Sequence, residues 1–404
     1  MATEGDPALQ RRLLARALAT KFPAFDAVTY ADYDQLFTVL HSRTVAPFTL
    51  VLDEFPYLTK SDGSLASILQ RYLDDRSAGR FSIVVCGSSQ QMMHDTVLSG
   101  TAPLYGRADE IVNVRPLNAG WLRHALPALS DDDIIREYGV WGGVPRYWET
   151  RQRYTTLSET VIRTLFHSSG LYYDEAQRLL LDDLRDLAQP TTLLTTIAQG
   201  VHRPAEIGAR LGKQSNDLHR PLNRLISLGY IIREVPFGTP VRNSKTVQYR
   251  LADPFLRFYY RFVVPNASVI GADAGESLWR QVAGELPRFV SWNWEQLCTR
   301  AVLHGLRGQD ITRAGRWWGK LTSGKLAEVD VLATNHDKSR WVAIECKWGL
   351  PKNIQSIREE LTAKVRQIPG YNGAPVDAFV ATRTPPVAAE DGVIVPADVL
   401  QMLK

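Results

Sequence analysis

Two short runs, FTLVL at 48–52 and FSIVVC at 81–86, are apolar or β-forming along nearly their whole length rather than at alternate positions. Strands of that kind are buried on both faces, as in a parallel sheet covered by helices. The segment between them supplies such a helix: Ser64–Arg76 places Leu65, Ile68, Leu69 and Tyr72 on one side. Upstream, 8–22 carries Leu9, Leu13, Leu14, Ala17 and Leu18 on one helical face, and Tyr30–Ser42 forms a second helix. Val112–Val114 reads as a third strand. Residues 1–118 therefore form an α/β core, and helices dominate 119–188. The 404 residues suffice for two or three domains with real cores.

From 189 to 255 the pattern changes. LLTTIAQ, RPAEIGARLG and QSNDLHRPLNRLISLGY read as three helices, the last two ending at Gly212 and Gly229. IIREVPF and TVQYRLAD follow as a hairpin, so the segment reads as a winged helix-turn-helix. Lys213, Arg220 and Arg224 on the third helix and its approach, with Arg242 and Lys245 in the wing, are candidates for neutralising DNA phosphates. A lid or adaptor role for the same fold needs no DNA. Pro221 either kinks the third helix or marks its start. Phe255, Phe258, Tyr259, Tyr260 and Phe262 read as packing at a domain junction, and Asp131–Asp133 as a solvated helix start. Residues 256–404 are α/β again: helix, strand, strand, helix, strand.

Two places carry candidate chemistry. In TLVLDEFPY, Asp53 and Glu54 stand at the end of an apolar strand, where a nucleotide hydrolase holds Mg²⁺ and orients a water. In the C-terminal part, AEVDVLAT (327–334) and WVAIECKW (341–348) flank the polar turn NHDKSR and read as a hairpin. Strict alternation puts Glu328 and Asp330 on one face and Val329 and Val331 on the other, with Glu345 and Lys347 sharing a face. Asp330 and Glu345 could hold Mg²⁺ with the carbonyl of Cys346, while Lys347 orients the attacking water. Gly319–Leu326, GKLTSGKL, imitates a phosphate loop but ends in Leu326 where Ser or Thr is needed, and reads as a turn.

Several linked motifs carry a resemblance over most of the chain. LVLDEFPYL, VVCGSSQQMM, PLYGR, VRPL and WGGVPRYW resemble the archaeal-type DEXX-box ATPases of the AAA+/STAND superfamily. The resemblance implies an ATP site with Asp53 and Glu54 as its second motif, Ser88 or Ser89 as the polar sensor, and Arg107 as a phosphate-sensing arginine. It makes Gly142, Gly143, Pro145 and Arg146 a lid segment. The first 48 residues hold one glycine, Gly5, and no GxxxxGK[ST]. The chain thus resembles a member lacking its first strand, phosphate loop and following helix, through loss or a start codon further upstream. ATP is expected as a ligand only if that loop is supplied. The pattern D-x(14)-E-x-K resembles the PD-(D/E)XK nucleases and the C-terminal domain of the same ATPase family, and Glu295 on the helix from Trp292 matches the extra acid many of them carry.

The fold class expected is α/β: a truncated P-loop-like parallel sheet, a winged helix-turn-helix and a restriction-endonuclease-like domain. The function expected is DNA processing by an ATPase-family protein, with a Mg²⁺-dependent nuclease site of Asp330, Glu345, Lys347 and Glu295. The alternative is a non-catalytic DNA- or protein-binding regulator with a degenerate ATPase core. DNA is the expected partner, with a homo-oligomer or protein partner also open. A net charge of +4 does not itself argue for nucleic acid. The scattered Cys86, Cys298 and Cys346 form no CxxC pair, and neither signal peptide nor membrane span is read, so the expected location is cytoplasmic. The eight histidines form no HExxH and read as core or surface residues.

Overall fold

The computed structural model describes residues 2, 5–75, 81–184, 186–240, 246–308, 310–349, 351, 353–384 and 391–404. They fall into two compact units, Met1–Val114 with Leu180–Arg185, and Arg115–Leu179 with Asp186–Lys404.

In the first unit, α1 (Pro7–Ala19) starts where the Asp6 carboxylate accepts the Leu9 N–H at 2.8 Å. Asp32 does the same for α2 (Tyr33–Arg43) through Gln35. Strand β1 (Phe48–Leu52), helices α3 (Phe55–Ser61) and α4 (Ser64–Asp74), strand β2 (Phe81–Val85) and the short α5 (Gln90–Met93) follow. β1 and β2 pair in parallel, Phe48 against Phe81 through Leu52 against Val85. Leu50 and Leu52 enter a core with Phe25, Tyr33, Phe37, Phe55 and Leu65. Two expectations fail here. The sheet is covered on one face only among the described residues: Val51 and Val84 are 55% and 47% exposed. Val112–Val114 is not a strand; Val112 and Val114 are 70% and 88% exposed. A β-prone triplet becomes a strand only where a neighbouring edge and a buried face receive it.

The second unit opens with α6 (Leu122–Ala125), α7 (Asp131–Trp141), α8 (Pro145–Arg151), α9 (Leu157–Thr164) and α10 (Glu175–Asp183). The last residues of α10 belong to the first unit. Helices α11 (Ala188–Ala198), α12 (Pro204–Leu211) and α13 (His219–Ser227) precede an antiparallel pair, β3 (Ile231–Glu234) and β4 (Gln248–Leu251). Pro221 lies in the first turn of α13, where its missing N–H costs nothing, so the helix starts there rather than kinks. The aromatic run is packing: Phe255, Phe258, Tyr259, Tyr260 and Phe262 are all buried, with Phe255 stacked on Tyr147 at 4.4 Å.

After α14 (Pro254–Phe258) and α15 (Ala267–Gly271) comes α16 (Gly275–Leu303), 29 residues long. The helix expected from Trp292 begins at Gly275 instead and runs through Pro287, which by propensity is a breaker. Packing overrides it: Leu278, Val282, Leu286, Val290 and Trp294 recur every fourth residue and are all buried. Gly275 lies so close to Phe166 that a Cβ would sit 2.3 Å from its carbonyl oxygen.

Strands β5 (Arg313–Lys320), β6 (Leu326–Thr334), β7 (Trp341–Lys347), β8 (Val376–Thr382) and β9 (Val393–Ile394) form one sheet in that order, with α17 (Ile354–Val365) between β7 and β8 and α18 (Pro396–Met402) last. β5 to β7 run antiparallel; β8 and β9 join in parallel. β5 was missed because RAGRWWGK shows neither alternation nor β-branched residues. GKLTSGKL is the hairpin turn from β5 to β6, with Gly324 at φ +83° and Leu321 donating to the Lys325 carbonyl at 2.9 Å. No helix of the described residues is long and apolar enough to cross a membrane.

Candidate functional site

Strict alternation breaks in β6. Gly315 pairs with Leu332, but Trp317 pairs with Val329, so Asp330 and Val331 together oppose Arg316. This is a β-bulge, which re-aims side chains and ends pairing. Its signature is that Val329 and Leu332, an odd and an even position, pack in one cluster with Leu361 and Val365 of α17. The expectation that Val329 and Val331 share a face is therefore corrected. Pairing of β6 with β7 also stops at Val331 against Ile344. Beyond that point the Asp330 carboxylate takes over from a backbone carbonyl and accepts the Cys346 N–H at 2.8 Å.

At this fork five elements supply charge. Glu345 meets Lys347 at 2.7 Å, and Lys364 of α17 lies 3.8 Å from its other oxygen while donating to the Glu328 carbonyl at 2.9 Å. Glu295 of α16 lies 3.3 Å from Arg316 Nε, and Arg316 also approaches Glu328 at 3.5 Å. Alignment is poor: Glu295 Oε2 and Arg316 Nε are buried without a hydrogen-bond partner among the described residues. Burial, then the nearby Asp330 charge, pushes the Glu295 carboxyl up. Burial, then Glu345, pushes Asp330 up, opposed by the Cys346 N–H, Arg316 and Lys347. Lys347 is also raised: burial works against its charge, but Glu345 and Asp330 outweigh it. Burial and Cys298 hold the Cys346 thiol well above its usual range, so that residue offers its backbone rather than a thiolate.

The expected set Asp330, Glu345, Lys347 and Glu295 is thus brought to one fork, though the strands reach it by a bulge. Sequence reasoning missed Arg316 and Lys364. Arg316 sits on the unrecognised β5, and Lys364 is one of several charges on α17 with no spacing to single it out. Among the described residues no three His, Cys, Asp or Glu side chains are arranged as a metal-holding group.

In the first unit, Glu54 takes a left-handed backbone (φ +54°) at the β1–α3 turn. Asp53 accepts the Glu54 N–H at 3.1 Å and the Cys86 thiol at 3.3 Å, and Glu54 accepts the Ser88 N–H at 3.4 Å. Burial and then Asp53 raise the Cys86 thiol. Ser88 therefore reaches the acids, whereas the buried Ser89 hydroxyl lies 3.3 Å from Asp183. The hydrogen bonds of Arg107 go instead to Asp74, at 2.8 and 2.9 Å, and to the carbonyls of Pro103 and Tyr105. Arg146 is on α8 in the second unit; Gly142 (φ +62°) and Gly143 precede that helix in the same unit. Lys213, Arg220 and Arg224 are exposed around α13, and Arg220 and Arg224 line an open depression of about 660 Å³. Arg242 and Lys245 lie outside the described residues.

Residues 259–359, which hold Glu295, Asp330, Glu345 and Lys347, match a family described as archaeal and bacterial proteins of unknown function. An uncharacterized protein of Methanocaldococcus jannaschii is 27% identical over 351 residues, 83% of this chain and 75% of that protein. Among solved structures, the Walker-type ATPase of Pyrococcus abyssi aligns over 63% of this chain and 77% of its own, with a TM-score of 0.48 and 18% identity.

Proposed function

We propose that this chain is a Mg²⁺-dependent phosphodiesterase acting on DNA, with a nuclease-like C-terminal site. The observation that carries this reading is the fork where β6 and β7 part, with Asp330, Glu345 and Glu295 converging beside Lys347. The donors are of the kind a hard cation takes: the carboxylate oxygens of Asp330 and Glu345 and the Cys346 carbonyl. Asp330 and Glu345 would hold Mg²⁺, with Glu295 completing the acidic side. When bound, the ion supplies Lewis-acid stabilisation of charge on the phosphate and lowers the pKa of a bound water. Lys347 would orient an attacking water, and Glu345 keeps the ammonium in place. Lys364 holds the second oxygen of Glu345 and adds positive charge where the phosphate would lie.

Under this proposal the DNA contacts fall to a winged-helix segment, α11 to β4, through Lys213, Arg220 and Arg224. Asp53, Glu54 and Ser88 support a nucleotide-hydrolase ancestry for the first unit. The second reading, a non-catalytic DNA-binding regulator, is favoured by the basic depression on α13, which needs no chemistry. The test is Mg²⁺-dependent cleavage of linear and branched DNA by the purified chain, beside Asp330→Ala and Lys347→Ala. Cleavage lost in both variants supports the phosphodiesterase. Absence of cleavage with DNA retention intact in a gel shift supports the regulator.

A further inference from the structure

The second unit also contains a cavity of about 260 Å³ between the end of α11, β4, α14 and α16. Four arginines line it: Arg250, Arg257, Arg261 and Arg288. Arg250 is paired with Glu234 at 2.9 Å and Arg261 with Glu285 at 3.0 Å. Neither Arg257 nor Arg288 has a carboxylate within ion-pair distance among the described residues; Glu295 acts on Arg257 from further off, and Arg288 is exposed.

Arg257 is the unusual one. Its guanidinium lies between two rings, 4.0 Å from the Phe289 centroid and 4.6 Å from that of Trp292. One Nη donates to the Phe289 carbonyl, but its Nε is buried with no partner among the described residues. The indole N–H of Trp292 is buried and equally unpartnered. Two orphaned donors therefore belong to the lining of one cationic cavity, and an unmet buried donor is costly. His202 adds no charge: burial, then Arg250, lowers its pKa to about 4. Its Nδ1 lies 3.0 Å from the Tyr249 carbonyl, which leaves Nε2 to accept from Arg250 at 3.2 Å. The cavity thus presents donors and positive charge with a single lining carboxylate, Glu285, already held by Arg261.

We infer that this cavity is a binding site for a phosphomonoester, with Arg257 and Arg288 as its donors. Guanidinium groups match a tetrahedral oxyanion in charge and in fork geometry. The volume exceeds what a bare phosphate fills, and the Phe289 and Trp292 rings flank the remaining space. None of this depends on cleavage at Asp330 and Glu345.

Isothermal titration of the full chain with inorganic phosphate and with adenosine 5′-monophosphate, at low chloride, tests the site. Saturable binding with Kd of about 1 mM or tighter is expected. Arg288→Gln, at the exposed rim, weakens it about tenfold, the loss of one charge-assisted hydrogen bond. Arg257→Gln abolishes it, with folding checked by circular dichroism. Arg210→Gln, on the exposed side of α12, changes nothing. Tighter binding of the nucleotide assigns the remaining space to its nucleoside; equal binding assigns recognition to the phosphate alone. No saturable heat in the unaltered chain overturns the proposal, as does unchanged binding in Arg288→Gln. If Arg257→Gln fails to fold, Arg288→Gln alone decides.

Discussion

Each unit ends an apolar strand in acids, and the two endings differ in what surrounds them. At the end of β1, Asp53 and Glu54 receive two backbone N–H groups and a thiol, all neutral, and no cation pairs with either among the described residues. At the β6–β7 fork, acids from α16, β6 and β7 meet Lys347, Arg316 and Lys364. An acidic pair on a strand is a local feature that sequence alone supplies. A field that shifts proton affinities needs charges from several elements in one half-buried place. On this ground the fork, rather than the β1 end, is the candidate centre of chemistry in the chain.

The largest expected effect is a split between the two acid sites. Asp330→Asn and Lys347→Ala each lower Mg²⁺-dependent DNA cleavage by roughly a hundredfold or more, while Glu54→Gln leaves it within about twofold, read from initial rates on one substrate. Equal losses in all three would erase the distinction.

Next in size is a pH effect. Glu295 and Asp330 have raised carboxyl pKa values in the fold, so the native state binds protons more tightly than the unfolded chain. The stability this gives is complete below the ordinary carboxylate pKa of about 4 and is lost as pH rises through the raised folded values. Urea unfolding of the metal-free chain should therefore show stability falling as pH rises above that range. Glu295→Gln should flatten the slope, and Mg²⁺ should offset it by favouring the ionised acids. A slope unchanged in Glu295→Gln would mean that this carboxyl is not perturbed.

A smaller loss, about fivefold, is expected for Lys364→Ala, restored mostly by Lys364→Arg. Cleavage rates against Mg²⁺ concentration separate a weakened ion site from a weakened phosphate contact: only the former is recovered by more Mg²⁺.

Much of this was legible in the sequence because it is local. The strands at 48–52 and 81–86, the helices capped by Asp6 and Asp32, and the hairpin carrying Asp330 and Glu345 follow from periodicity and turn residues. What the sequence hid is what tertiary contact decides. Pro287 vetoes a helix by propensity, yet an apolar stripe at every fourth residue carries α16 through it. Val112 and Val114 favour a strand that no neighbour accepts. The bulge at Asp330 and Val331 has no marker, because it exists only relative to β5, itself hidden by two glycines and two arginines among its eight residues. Lys364 and the cavity arginines are ordinary surface charges until the chain folds them inward.

Gly275 has a bearing on the acid site that its position does not advertise. It begins α16 and has no room for even a methyl group beside the Phe166 carbonyl, while Glu295 stands twenty residues further along the same rod, about 30 Å away at 1.5 Å per residue. A carboxylate is thus aimed from a distant anchorage, with Gly284 and Pro287 between them as the weaker points of the rod. Under the proposed function, a change at Gly275 touching no charged group would register as a lowered cleavage rate in an otherwise well-folded protein.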